Sequence, residues 1–158
     1  MIKDKILREH LTKLIRGGQA FTPLTEILGG ITAAEAGKKH PPLPYTIWQL
    51  IEHLRIALYD ILEFSRDPAY ESPAWPAGYW PAEDAPPNQA ELDESIKSIQ
   101  AGIKAMIQLV EDPVNDLFEP FAHGTGQNLL REAMLVAEHN AYHLGQIVIL
   151  RRLQGTWE

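Results

Sequence analysis

Four stretches of this chain repeat apolar side chains every three or four residues, and each is closed by glycine or proline. That period is the signature of a helix with one buried face. The first, residues 4–16, carries Ile6, Leu7, Leu11, Leu14 and Ile15 and stops at Gly17-Gly18. The second runs from Thr46 through Trp48, Leu50, Ile51, Leu54, Leu58, Ile61 and Leu62 to Arg66, where Asp67-Pro68 ends it. Thr46 with Gln49 three residues on forms a capping-box start. The third begins at Asn88, with Glu91 in the equivalent place, and continues through Leu92, Ile96, Ile99, Ile103, Ile107 and Val110 to Asp112-Pro113. The fourth starts near residues 125–128 and ends before Gly155. A short helix at 23–28 and a turn at 32–37 fill the first connection. Alternating β-branched runs and internal repeats are missing. The pattern predicts an all-α fold, a four-helix bundle in a single domain over residues 1–158.

Composition then narrows the partners. The formal charge is −7 and the basic residues are scattered, which excludes the basic patch of a nucleic-acid binder and the polybasic patch of a membrane-surface protein. No apolar run approaches the roughly 18 residues of a membrane span. The opening Met1-Ile2-Lys3-Asp4-Lys5 is too polar for a signal peptide. A soluble cytoplasmic protein is expected. Cysteine is absent, so disulfides, thiolate ligands and a cysteine nucleophile are all excluded. Any metal must be held by His, Asp or Glu.

His139 and His143 lie four apart in the fourth helix, which places both rings on one side, one turn apart. Glu132, Val136 and Leu150 share that stripe, at the border of the apolar arc. His53 has the same edge position on the second helix, on the side of Gln49, Asp60 and Phe64. If those helices pack together, three imidazoles can meet around one cation, and three protein ligands with an open fourth position make a catalytic arrangement. Neutral imidazoles suit zinc, nickel, copper or iron(II). Glu132, Glu138, Gln146, Asp60 and Gln49 are candidate anchors for the rings' other nitrogens. Asn140 falls inside the apolar arc, where an interhelical hydrogen bond is expected. His123, in the loop before the fourth helix, is expected to face solvent. His10 lies on a polar helix side and His40 precedes a proline pair.

Residues 67–87 join the second and third helices and hold Pro68, Pro73, Pro76, Pro81, Pro86 and Pro87 with Tyr70, Trp75, Tyr79 and Trp80. A connection this long is uncommon in a compact domain, and the prolines stiffen it. Its aromatics either pack over the bundle end or shape a pocket mouth or dimer contact.

The run Trp48-Gln49-Leu50-Ile51-Glu52-His53, followed by His139-Asn140-Ala141-Tyr142-His143-Leu144-Gly145-Gln146, resembles the DinB/YfiT-like superfamily of four-helix-bundle metalloproteins. The resemblance spans nearly the whole chain. It implies a DinB-like domain in which His53, His139 and His143 bind a divalent metal, nickel or zinc, and a homodimeric assembly. It also implies chemistry on a small-molecule substrate, either metal-dependent hydrolysis or S-transfer from a low-molecular-weight thiol. Where the family often has arginine after the second histidine of the pair, this chain has Leu144. Beside an enzyme that activates water or a thiol stand two other readings: a non-catalytic, stress-associated metal-binding dimer and a metal-free helical interaction module. The net acidic charge and the few basic residues available to a pocket do not suggest a highly anionic substrate; Arg55, Arg131 and Arg151 are the basic candidates should one bind.

Overall fold

Side-chain caps mark the starts of four helices of this chain. The computed structural model describes residues 2–158; Met1, the first residue of the polar opening, lies outside them. The order is α1 (Ile2–Arg16), α2 (Leu24–Ile27), α3 (Ala33–Ala36), α4 (Ile47–Arg66), α5 (Gln89–Glu111) and α6 (Leu129–Gln154). The fold is all-helical. No strand occurs among the described residues, only one isolated antiparallel bridge between Pro120 and Asn128.

The capping box at the start of α4 forms in both directions. Thr46 Oγ1 accepts from the Gln49 amide at 3.2 Å, and Gln49 Oε1 accepts from the Thr46 amide at 3.1 Å. The turn expected at 32–37 is a short helix with its own capping box, Thr32 with Glu35. Asn88 and Asn128 cap α5 and α6 by accepting from Glu91 N and Arg131 N. Each such cap satisfies an amide with no partner inside the helix. α6 ends at Gly155, whose φ of 74° suits glycine.

The four long helices bury their apolar faces on one another: α4 packs against α5 and α6, and α1 against the same two. Leu50, Ile51, Leu54 and Leu58 of α4 meet Leu92, Ile99 and Met106 of α5 and Val136, Leu144 and Ile147 of α6 in one core. Each fully buried aliphatic side chain contributes about 1.5–3 kcal/mol. Gly102 sets the α4–α5 approach, since a Cβ there would lie 2.9 Å from Leu58 Cδ2. Two buried or half-buried cations tie the ends. Arg8 donates to the carbonyls of Val110, Asp112 and Asn115, and Arg151 to those of Ile27, Gly29 and Thr156.

α4 and α6 run antiparallel. His53, early in α4, lies beside His139 and His143, whereas Phe64, near the end of α4, accepts through its carbonyl from His123, just ahead of α6. Residues 67–87 contain one 3-10 turn, Ala77–Tyr79, and fold back along α4. Thr46 Oγ1 donates to the Asp84 carbonyl at 2.6 Å, Gln49 Nε2 to Asp84 Oδ1 at 3.1 Å, and the Tyr79 hydroxyl to Asp60 Oδ2 at 2.7 Å. The stiff connection is thereby pinned along α4 from Thr46 to Asp60.

Candidate metal centre

Helical spacing brings His139 and His143 to the same side of α6, with ring centroids 4.5 Å apart. The antiparallel packing of α4 sets His53 against both, at 4.8 and 4.6 Å between centroids. One nitrogen from each ring lies within 4.8 Å of those of the other two. The closest pair is His53 Nε2 and His139 Nε2, 3.0 Å apart. Two imidazole nitrogens that close require either a shared proton or a shared cation. Ligand atoms on a tetrahedral centre with N–metal bonds of about 2.05 Å sit about 3.3 Å apart, so the spacing suits an ion.

The tautomers suit it as well. His53 Nδ1 lies 2.8 Å from the Tyr79 carbonyl oxygen. A carbonyl only accepts, so Nδ1 carries the proton and Nε2 presents its lone pair inward. His143 Nδ1 donates to Gln146 Oε1 at 2.7 Å, which leaves His143 Nε2 in the same state. A hydrogen bond at the second nitrogen fixes a ligand's orientation and raises its basicity. Of the candidate anchors, Gln146 serves His143. Gln49 instead caps α4 and holds Asp84, Asp60 accepts from Tyr79, Glu132 pairs with Arg131, and Glu138 is exposed.

Burial keeps all three rings neutral near pH 7, the form a metal requires. Desolvation lowers the pKa of His139 to about 4, assisted by the neighbouring His143 and His53. Desolvation also lowers His53 against the opposing Tyr79 hydrogen bond, and His143 against that of Gln146.

Two features of the site lie outside what the sequence reading found. Trp80 stacks flat on His53, with centroids 3.9 Å apart and planes 2° from parallel, and Tyr45 stacks on the other face of Trp80 at 4.3 Å. The anchor of His53 is a backbone carbonyl, which has no side-chain signature. Both come from segments without helical period, so only the aromatic content of residues 67–87 hinted at them.

The three rings form part of the wall of an open cavity of about 580 Å³, together with Tyr45, Asp60, Trp75, Tyr79, Trp80 and Tyr142. None of the three arginines considered for anion binding lines it. Arg55 pairs with Glu52, Arg131 with Glu132, and Arg151 is committed to backbone carbonyls and the Trp157 ring. The interhelical hydrogen bond expected of Asn140 is a correction. Asn140 is buried on the α6 face that carries Val136, Ala137, Leu144 and Ile147, and its Nδ2 has no partner among the described residues. His10 and His123 are exposed, and His123 stacks on Phe121 outside the cluster.

Compared with known protein families, the chain matches the DinB superfamily over residues 19–147. No curated protein and no solved structure gives a match.

Proposed function

We propose, from the premise that this chain belongs to the DinB superfamily, that it is a metal-dependent enzyme acting on a small molecule. In this reading residues 1–158 form one DinB-type four-helix-bundle domain, and His53, His139 and His143 hold a divalent ion, nickel or zinc. A divalent metal bound there supplies a Lewis-acid centre that lets water or a low-molecular-weight thiol act as a nucleophile near neutral pH. The observation that carries the reading is the convergence of three neutral imidazoles on the wall of an open cavity, rather than in a sealed core.

The chain's own residues divide the remaining work. Tyr79 through its carbonyl and Gln146 through its side chain keep the inner nitrogens of His53 and His143 unprotonated. Trp80 shields one face of His53 from water. The aromatic wall supplies apolar surface for a substrate body. An enclosed scaffold metal would need no such cavity, which favours chemistry over a purely structural ion.

The deciding experiment is a screen of zinc- and nickel-loaded protein for consumption of small electrophiles, with and without low-molecular-weight thiols. Turnover that requires metal and thiol selects S-transfer, turnover with metal alone selects hydrolysis, and no turnover with a stoichiometric ion selects the non-catalytic alternative. A homodimer belongs to the same reading. Tyr142, Ile149 and Leu153 form an apolar stripe on α6 that is 65, 55 and 58% exposed, and a monomer mass by light scattering at micromolar concentration removes it. No helix of the described residues is long and apolar enough to cross a membrane, which is compatible with the cytoplasmic location proposed here.

A further inference from the structure

We propose that the cavity beside the three histidines takes an organic cation: an amine or ammonium on an apolar or aromatic body, its charged end near Asp60 and its other end at the histidines. This rests on the functional reading above and names its substrate class.

The charge inventory of the wall comes first. Among the described residues Asp60 is the one carboxylate lining the cavity, and no lysine or arginine lines it. Asp60 accepts from the Tyr79 hydroxyl through Oδ2 and has the Tyr70 hydroxyl beside it, and it enters no salt bridge among the described residues. The arginines of α4 and of the start of α6 are already committed: Arg55 to Glu52, Arg66 to Glu63 and Arg131 to Glu132. A half-buried carboxylate with no counter-charge carries a desolvation cost that a bound cation offsets. The aromatic groups supply the rest. Tyr79 and Trp75 line the same cavity and pack edge to face at 5.3 Å, and the electron-rich faces of such rings attract ammonium groups.

Position along α4 sets the length. Asp60 follows His53 by seven residues, two helical turns on the same face, so the acidic and histidine ends of the cavity are about 10 Å apart. A fitting molecule therefore carries its cation several bonds from the group that reacts.

The test uses three compounds of one shape, 4-phenylbutylamine, 4-phenylbutanol and 4-phenylbutanoate, titrated calorimetrically into the protein as purified. The amine and alcohol are repeated after zinc loading. The amine is expected to bind about tenfold more tightly than the alcohol in both forms, with the carboxylate weakest. Asp60→Asn is expected to bring the amine to within about twofold of the alcohol. Should that variant fail to fold, raising the salt from about 0.05 to 0.5 M on the unmodified protein gives an independent readout, because screening weakens the amine severalfold and leaves the alcohol unchanged. Equal binding of amine and alcohol, tighter binding of the carboxylate, no binding of any of the three, or a preference that survives both Asp60→Asn and high salt overturns the proposal. Zinc and nickel content of the same samples separates the two readings. Charge preference in protein that retains neither ion keeps this inference and removes the metal enzyme; a retained ion without charge preference does the reverse.

Discussion

The α4 and α6 contributions to the histidine cluster are held in opposite ways. His143 is oriented from its own helix, by Gln146 three residues on. His53 is oriented from far along the chain, by the carbonyl of Tyr79 and the ring of Trp80. His139 lies between them in character, since its Nε2 faces His53 and, among the described residues, no hydrogen bond anchors its other nitrogen. A local anchor forms whenever its helix forms. A distant one exists only if the connection over residues 67–87 is seated, which in turn depends on the contacts of Tyr79 with Asp60 and of Asp84 with Thr46 and Gln49. One half of the cluster is thus a property of secondary structure and the other of tertiary structure.

The strongest way to break this comparison is to remove the three histidines themselves. His53→Ala, His139→Ala and His143→Ala should each cut retained metal from about one ion per chain to below about a tenth, whereas His10→Ala should leave it unchanged. Mass-spectrometric metal content decides the matter, and full retention in the three site variants would remove the centre. The next effect is on affinity. Trp80→Ala frees one face of His53 and should weaken zinc binding by about 10- to 100-fold in a chelator competition. Gln146→Leu should cost about tenfold, because only one local hydrogen bond is lost. A larger loss for Gln146→Leu than for Trp80→Ala would invert the proposed hierarchy.

A pH titration sharpens the same contrast in metal-free protein. His139 has a folded pKa of about 4 against an ordinary value of 6.5. Between those values the unfolded chain binds a proton that the folded chain refuses, so stability rises with pH in that window. The contribution is full above about pH 6.5, falls as the pH drops and is gone near pH 4; His53 and His143 act in the same direction. Denaturant midpoints flat from pH 7 to 4 in the wild type, or unchanged in slope by His139→Ala, would contradict burial of neutral rings. The smallest effect belongs to His123→Ala, which loses one exposed hydrogen bond to the Phe64 carbonyl. About 0.5–1 kcal/mol of stability and no change in metal content are expected.

The halves also differ in how far they were legible before any coordinates. Thr46 with Gln49, Asp67-Pro68 and Gly155 mark helix ends through local chemistry, and the structure places those ends there. The pairing of His139 with His143 follows from helical period alone. That His53 joins them required α4 and α6 to pack side by side, and the match of its edge position to theirs supported that. Asn140 went wrong because a helix apolar on most sides gives no sign of which polar residue will find a partner. The role of residues 67–87 was hidden for a different reason. Stacking of Trp80 on His53 and donation to the Tyr79 carbonyl arise from one irregular backbone path, and irregular paths leave no periodic trace in a sequence.

The indole resting face to face on the His53 imidazole carries an optical consequence. Of the chain's four tryptophans, Trp80 is the one stacked on His53, so any change in that ring's electron density alters the excited state of its immediate neighbour. Occupancy of the centre thereby becomes visible as a change in emission intensity or wavelength, with no label attached. Colourless zinc and quenching nickel should leave different spectral fingerprints on the same fluorophore.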